Sequence, residues 1–289
     1  MLGICQLCKN EAELQLSHFI PKFVGKWLKK TGITGYLREN NSIKQRSQDF
    51  DKEHLLCTNC EQLFSNWERG FANKIFFPFV NEEKNYASYE DWLAKFCTSI
   101  SWRTLYFIRS KNKNAKHSLE YEENVKKAFA HWSDFLLGEE SNLNQYEQHL
   151  YHLPQLQSST HPNLPENINR YFLRAVSMDI IGNSQSTFTY TKLPSFLILG
   201  VMKSPESKKM RSSRISLSSG TVSPKKYYMP GGVGEYIFEK CNEVKNMLQS
   251  LPEHQKEKIE EYVHNNPEKV AQSKLFEAML HDYEMFNND

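Results

Sequence analysis

The spacing of apolar positions changes period along the chain. From Tyr89 to Ile108, YEDWLAKFCTSISWRTLYFI places Trp92, Phe96, Ile100 and Leu105 at near-helical intervals, which predicts a buried or amphipathic helix. A second helix is predicted over Glu122–Leu137, with Val125, Phe129, Trp132 and Leu136 on one face, after the polar turn RSKNKNAKHS. The Pro-, Ser- and Asn-rich stretch QLQSSTHPNLPENI reads as a surface connection, and a helix starting near Asn167 carries RYFLRAVSMDII. Beyond Gly182 the period shortens. STFTYT alternates Phe188 and Tyr190 with threonines, and FLILGVM is an apolar run of strand length. RISLSSGTV with KKYYMP reads as a further strand pair or an extended segment, and a glycine turn opens the helix of MPGGVGEYIFEKCNEVKNML. Two helices are expected from Pro252 to Phe286, divided near Asn265-Asn266-Pro267. Leu275, Phe276, Met279, Leu280 and Tyr283 form the apolar face of the last one, suited to core packing, a protein partner or a second copy of the chain.

The N-terminal quarter has a different texture. ICQLCKN reads as a tight turn between short strands, and ELQLSHFIP then sets Leu14, Leu16 and His18 on one side of a strand. HLLCTNCEQLFSNWERGFANKIF runs from a short strand into a helix with Leu63, Phe64, Trp67 and Phe71 on its inner face. The segment after His18 reads as a helix bearing Lys22, Lys26, Lys29 and Lys30 with Trp27 between them.

Composition narrows the picture. With 39% hydrophobic and 24% charged residues in 289, the chain has ordinary globular chemistry and room for one large domain or two modest ones. The expected division is a zinc module over residues 1–82 and a mainly helical domain over residues 83–289, with a small sheet at about 186–230. No stretch approaches a membrane span and the start lacks a signal peptide's apolar run, so a cytoplasmic protein without membrane partners is expected. The net charge of +2 says little. From Lys9 to Arg46, however, eight basic residues face three acids, a balance suited to phosphate, with Arg38 and Arg46 able to contact it bidentately.

Four of the six cysteines form two Cys-x-x-Cys pairs, Cys5/Cys8 and Cys57/Cys60, separated by 48 residues. A two-residue gap lets both sulfurs of a knuckle reach one ion, and four thiolates with no open position describe a structural Zn²⁺ site. A strand, turn and strand followed by a helix that donates the last ligand is a treble-clef arrangement. Cys97 and Cys241 lie in apolar, helix-like contexts and read as buried free thiols. GGVG has no Gly-Lys-Ser/Thr after it and is no phosphate loop.

The order Cys-x-x-Cys, LSHFIPK, then LLCTNCEQLF resembles the HNH endonuclease family in its zinc-stapled form, and a bacterial group carrying SHxIPK and LLCxxCE, over roughly residues 3 to 73. The resemblance implies a β-hairpin and helix that hold one divalent metal, Mg²⁺ or Mn²⁺, against a DNA phosphate. It implies His18 as the general base that deprotonates water. It also implies bacterial origin and a place in defence against foreign DNA. The chain departs from the family's pattern where Ser17 replaces the acid before that histidine and where Glu61 holds a helix position commonly His or Asn. Glu61 with Asp49, or Asp51, is the expected compensating carboxylate set. The rival expectation is a zinc-stapled nucleic-acid or protein interaction module without cleavage.

Overall fold

A computed structural model of the chain describes residues 1–38 and 47–287, and the architecture is α+β. The N-terminal part holds β1 (Leu2–Ile4), β2 (Glu11–His18), α1 (Lys22–Lys30), β3 (Lys52–Cys57) and α2 (Thr58–Phe71). A π-helical turn (Ala72–Phe76) and the short α3 (Phe77–Val80) follow. Next come β4 (Ala87–Glu90), α4 (Trp92–Lys111), α5 (Leu119–Leu137) and β5 (Gln148–His152). Then come α6 (Ile168–Arg174), β6 (Ser177–Gly182), β7 (Thr187–Leu193), β8 (Phe196–Lys203) and β9 (Ser219–Val222). The C-terminal part is helical, with α7 (Val233–Gln249), α8 (Glu253–Asn265), α9 (Pro267–Ala271) and α10 (Lys274–Asn287). Among the described residues no helix is long and apolar enough to cross a membrane.

The chain divides into two compact units. The first gathers Met1–Phe19, Asp51–His152 and Val176–Pro230, and the second Ile20–Phe50, Leu153–Ala175 and Gly231–Asp289. The division expected at residues 82–83 falls inside the first unit, because α2 and α4 share one core: Phe71 stacks on Phe96 with centroids 4.1 Å apart.

In the first unit, β5-β8-β7-β6 form an antiparallel sheet and α4 packs on it. Every residue of β7 is buried, as are Phe196–Met202 of β8, which is why these strands carry long apolar or hydroxyl-bearing runs. The α4 contact is partly polar and fully paired where it matters: Ser101 donates to Gln148 Oε1 at 2.7 Å, and Thr104 meets Thr191 at 2.6 Å. Gly200 lets helix and sheet approach closely, since a Cβ there would stand 2.5 Å from Ser101 Oγ and 2.6 Å from Thr189 Oγ1.

Several expectations change. RYFLRAVSMDII does not form one helix: α6 stops at Arg174, and Ser177–Gly182 is an edge strand paired with β7. The hairpin between them closes through Asn183, whose Oδ1 accepts from the N–H of Gln185 and Ser186. KKYYMP forms no strand, and the strand of SGTV pairs with β4 instead. The sheet reaches outside residues 186–230 to include β5 and β6. Leu63 is exposed rather than inward, and Leu16 is exposed while Leu14 is buried; Cys97 and Cys241 are buried as expected.

In the second unit, the buried side of α10 is Ala278 and Asp282. The Asp282 carboxylate accepts the N–H of Asn169 at 2.7 Å and of Arg170 at 3.0 Å, closing the start of α6. Phe276, Met279, Leu280 and Tyr283, four of the five residues of the expected apolar face, are exposed. The C-terminal stretch makes three helices, because the chain breaks again before α10, where Ser273 Oγ accepts from Phe276 N–H. Arg174 lies 4.6 Å over the Trp27 ring and donates to Leu28 O and Thr31 Oγ1, closing the end of α1.

Gly200→Val is expected to lower unfolding free energy by about 1–3 kcal/mol, through overpacking against Ser101 and Thr189. Urea denaturation beside the wild type measures it, and equal midpoints would show that the approach at Gly200 is not tight.

Candidate metal centre and strand-end site

The sulfurs of Cys5, Cys8, Cys57 and Cys60 lie within 4.8 Å of one another. Local chain geometry brings them there. Lys9, at φ 61°, turns the chain after Cys8, with its N–H on Cys5 O at 3.0 Å, while Cys5 N–H reaches Asn10 O at 2.9 Å. Gln6 N–H on Leu55 O at 3.0 Å fastens this turn to β3. Cys57 ends β3 as the N-cap of α2, and Cys60 stands in the first turn of that helix.

Cys8 and Cys57 Sγ are 3.8 Å apart. An ion with tetrahedral bonds of about 2.3 Å sets its sulfurs about 3.8 Å apart, so the cluster has the size and the soft donors consistent with a zinc site. Burial opposes ionisation of Cys5, yet N–H groups of Cys57, Cys8 and Leu7 outweigh it and bring its thiol down to about 7. Burial pushes the Cys60 thiol up, and Cys57 beside it adds to the rise; burial also raises Cys8. Filling the set with thiolates against that burial needs a cation's charge. Among the described residues, this is the one gathering of three or more His, Cys, Asp or Glu ligand atoms at metal-holding distance.

Next to this centre, β2 and β3 form an antiparallel hairpin with α2 packed on it. Gln15 donates to Thr58 Oγ1 at 3.2 Å and Ser17 donates to Glu61 Oε2 at 2.5 Å, so alternate residues of β2 meet successive turns of α2. Ser17 is 1% exposed. His18, half-buried, is the last residue of β2, pairs with Lys52, and by strand alternation projects to the face opposite Ser17 and Glu61. His54 faces Leu14 O through Nδ1 at 3.0 Å.

The other expected site residues are distributed as follows. Asp49 lies in the second unit, where Oδ1 accepts the Phe50 N–H at 3.1 Å. Asp51 lies in the first unit, with Lys111 Nζ 4.0 Å from its carboxylate and its carbonyl accepting the Phe19 N–H. On α1, Lys22, Lys26 and Lys30 are exposed at four-residue spacing, one basic stripe opposite buried Val24 and Trp27. Lys29 donates to Gln48 O at 2.5 Å. Arg38 is committed to Gln255 Oε1 and Tyr36 OH, which leaves less of its fork for phosphate. Arg46 lies outside the described residues.

Three residues at the strand end escaped sequence reasoning. Glu53 is the cross-strand partner of Ser17, and Arg103 of α4 donates through Nη1 to His18 O and to Glu68 of α2. The visible signal was a lone arginine inside SISWRTLYFI, an otherwise uncharged run.

Compared with protein-family models, with curated proteins and with solved structures, the chain matches none.

Cys57→Ser is expected to lower bound zinc well below one ion per chain, read by elemental analysis of the purified protein. A zinc content equal to the wild type's would remove Cys57 as a ligand. Adding Zn²⁺ to metal-free protein in weak buffer at neutral pH should release protons, because raised thiols such as Cys8 and Cys60 must ionise to bind; affinity should therefore fall as pH falls. A pH-independent affinity would contradict thiolate ligation.

Proposed function

We propose that the chain is an HNH-like, metal-dependent endonuclease that hydrolyses DNA phosphodiester bonds, with a treble-clef module held by structural Zn²⁺ on the four cysteines. One observation carries the reading: Glu61 reaches from α2 to the residue immediately before His18, its carboxylate 2.5 Å from Ser17 Oγ. Ser17 stands where the resembling family has an acid, and the helix supplies the missing carboxylate.

In this mechanism, His18 takes the proton of the attacking water as general base. The Glu61 carboxylate, with the Ser17 hydroxyl and the substrate's own phosphate oxygens, is the set that would hold Mg²⁺ or Mn²⁺; one or two carboxylates plus phosphate are the usual Mg²⁺ donors. A cation bound there supplies charge stabilisation for the phosphate and the leaving oxygen. Glu53, opposite Ser17, is a second carboxylate on the same hairpin face. The exposed stripe of Lys22, Lys26 and Lys30, starting four residues after His18, contacts the DNA backbone.

A second reading is a DNA-binding module without cleavage. The burial of Ser17 favours it, and so does the orientation of His18 toward the face opposite Ser17 and Glu61.

Supercoiled plasmid with Mg²⁺ or Mn²⁺ separates them. The wild type is expected to nick or cut, with the rate reduced at least about 100-fold in His18→Ala and in Glu61→Gln. DNA binding with no cutting by the wild type would establish the second reading; undiminished cutting by His18→Ala would remove His18 as base. Replacing Lys22, Lys26 and Lys30 together by Ala should flatten the slope of log affinity against log salt by about 2 to 3 for duplex DNA. An unchanged slope would place the phosphate contacts elsewhere.

A further inference from the structure

We infer that Arg103 is a positioning residue for His18, acting through the peptide bond that follows it; the inference rests on the proposed role of His18. Arg103 is 3% exposed in the middle of α4. Its Nε donates to Ser99 O at 3.3 Å, and its Nη1 to both His18 O at 3.0 Å and Glu68 Oε1 at 2.6 Å. The guanidinium carbon lies 5.1 Å from the Phe64 ring centroid, and Nη2 is buried without a protein partner.

Stability alone accounts poorly for this group. A buried ion pair is often no better than apolar side chains of the same volume, and a buried donor left bare is a further cost. Its effect on geometry is specific. The carbonyl of His18 and the N–H of Phe19 belong to one peptide plane, and both are held: the first by Arg103, the second by Asp51 O at 3.2 Å. Fixing that plane fixes the backbone dihedral on the C-terminal side of His18, the last residue of β2 and of its paired register with β3.

Glu68, the other acceptor on Nη1, lies seven residues after Glu61 on α2, two turns along the same face. Arg103 therefore ties the backbone of the base to the helix that carries the carboxylate. The guanidinium makes both bonds from Nη1 and a third from Nε while it lies over Phe64; an ammonium has no second nitrogen for Ser99 and no flat face.

The test uses the full-length, zinc-loaded chain with Arg103→Met and Arg103→Lys. It reads kcat and KM on plasmid with Mg²⁺, the ¹H–¹³C ring signal of His18 without DNA, and zinc content and thermal unfolding as a check of fold. Arg103→Met is expected to lower kcat by about 10- to 100-fold with KM within about twofold, and to shift or broaden the His18 signal. Arg103→Lys should recover part of kcat. A folded Arg103→Met protein with wild-type kcat and an unchanged His18 signal would overturn the inference. If the wild type does not cut, the nuclease reading fails on its own account and the His18 signal alone decides the positioning role. Should Arg103→Met not fold, Glu68→Gln weakens the other hold on Nη1 and is judged by the same readings.

Discussion

Four sulfurs bring the turn after β1 together with the start of α2, and the strand-end site lies on the hairpin that joins them. The hairpin of β2 and β3 has no short connecting turn to set its register, because the residues between the strands belong to the second unit. What holds the strands in register is the cysteine cluster at one end, with Leu14 opposite Cys57, and the Arg103 and Asp51 contacts to the peptide after His18 at the other. Closing a loop of this length costs entropy that grows slowly with length, and a metal joining its ends is an effective way to offset it.

The bulge between Gln15 and Leu16 is the point where those two ends are reconciled. Leu55 is the extra residue on β3, and beyond it Ser17 pairs with Glu53 and His18 with Lys52. Without the extra residue the pairing would slip by one, and different β3 side chains would face Ser17 and Glu61. Which β3 side chain faces Ser17 is thus set by a register shift just before it.

What could be read in the sequence depended on whether the signal was local. The Cys-x-x-Cys pairs, the helix after Cys57, α4, α5 and the apolar strand of FLILGVM each declare themselves within a dozen residues, through ligand spacing or a single hydrophobic period. β5 was not legible, since QHLYH has two histidines and a glutamine and becomes a strand by pairing with β8 far along the chain. SMDII was misread for a related reason: a continuous helical pattern and an edge strand look alike until the Asn183 turn and β7 decide between them. At the site, His18, Glu61 and the cysteines were found by motif. The contact between Ser17 and Glu61 spans 44 residues and that between Arg103 and His18 spans 85, so neither leaves a pattern in one sequence.

The chain passes between its two units five times, which gives a timetable to its biosynthesis. All four cysteines have been made by residue 60, whereas the first unit lacks its last segment until Pro230. At about 5–20 residues per second, a ribosome needs roughly 10 to 30 s to cover that interval. The hairpin, α2 and the sulfur cluster can associate during that time, while β5 waits for β8 to pair with it. Within the first unit, the residues of the sulfur cluster, the hairpin and α2 are thus all made before β8, the strand that β5 needs as its partner.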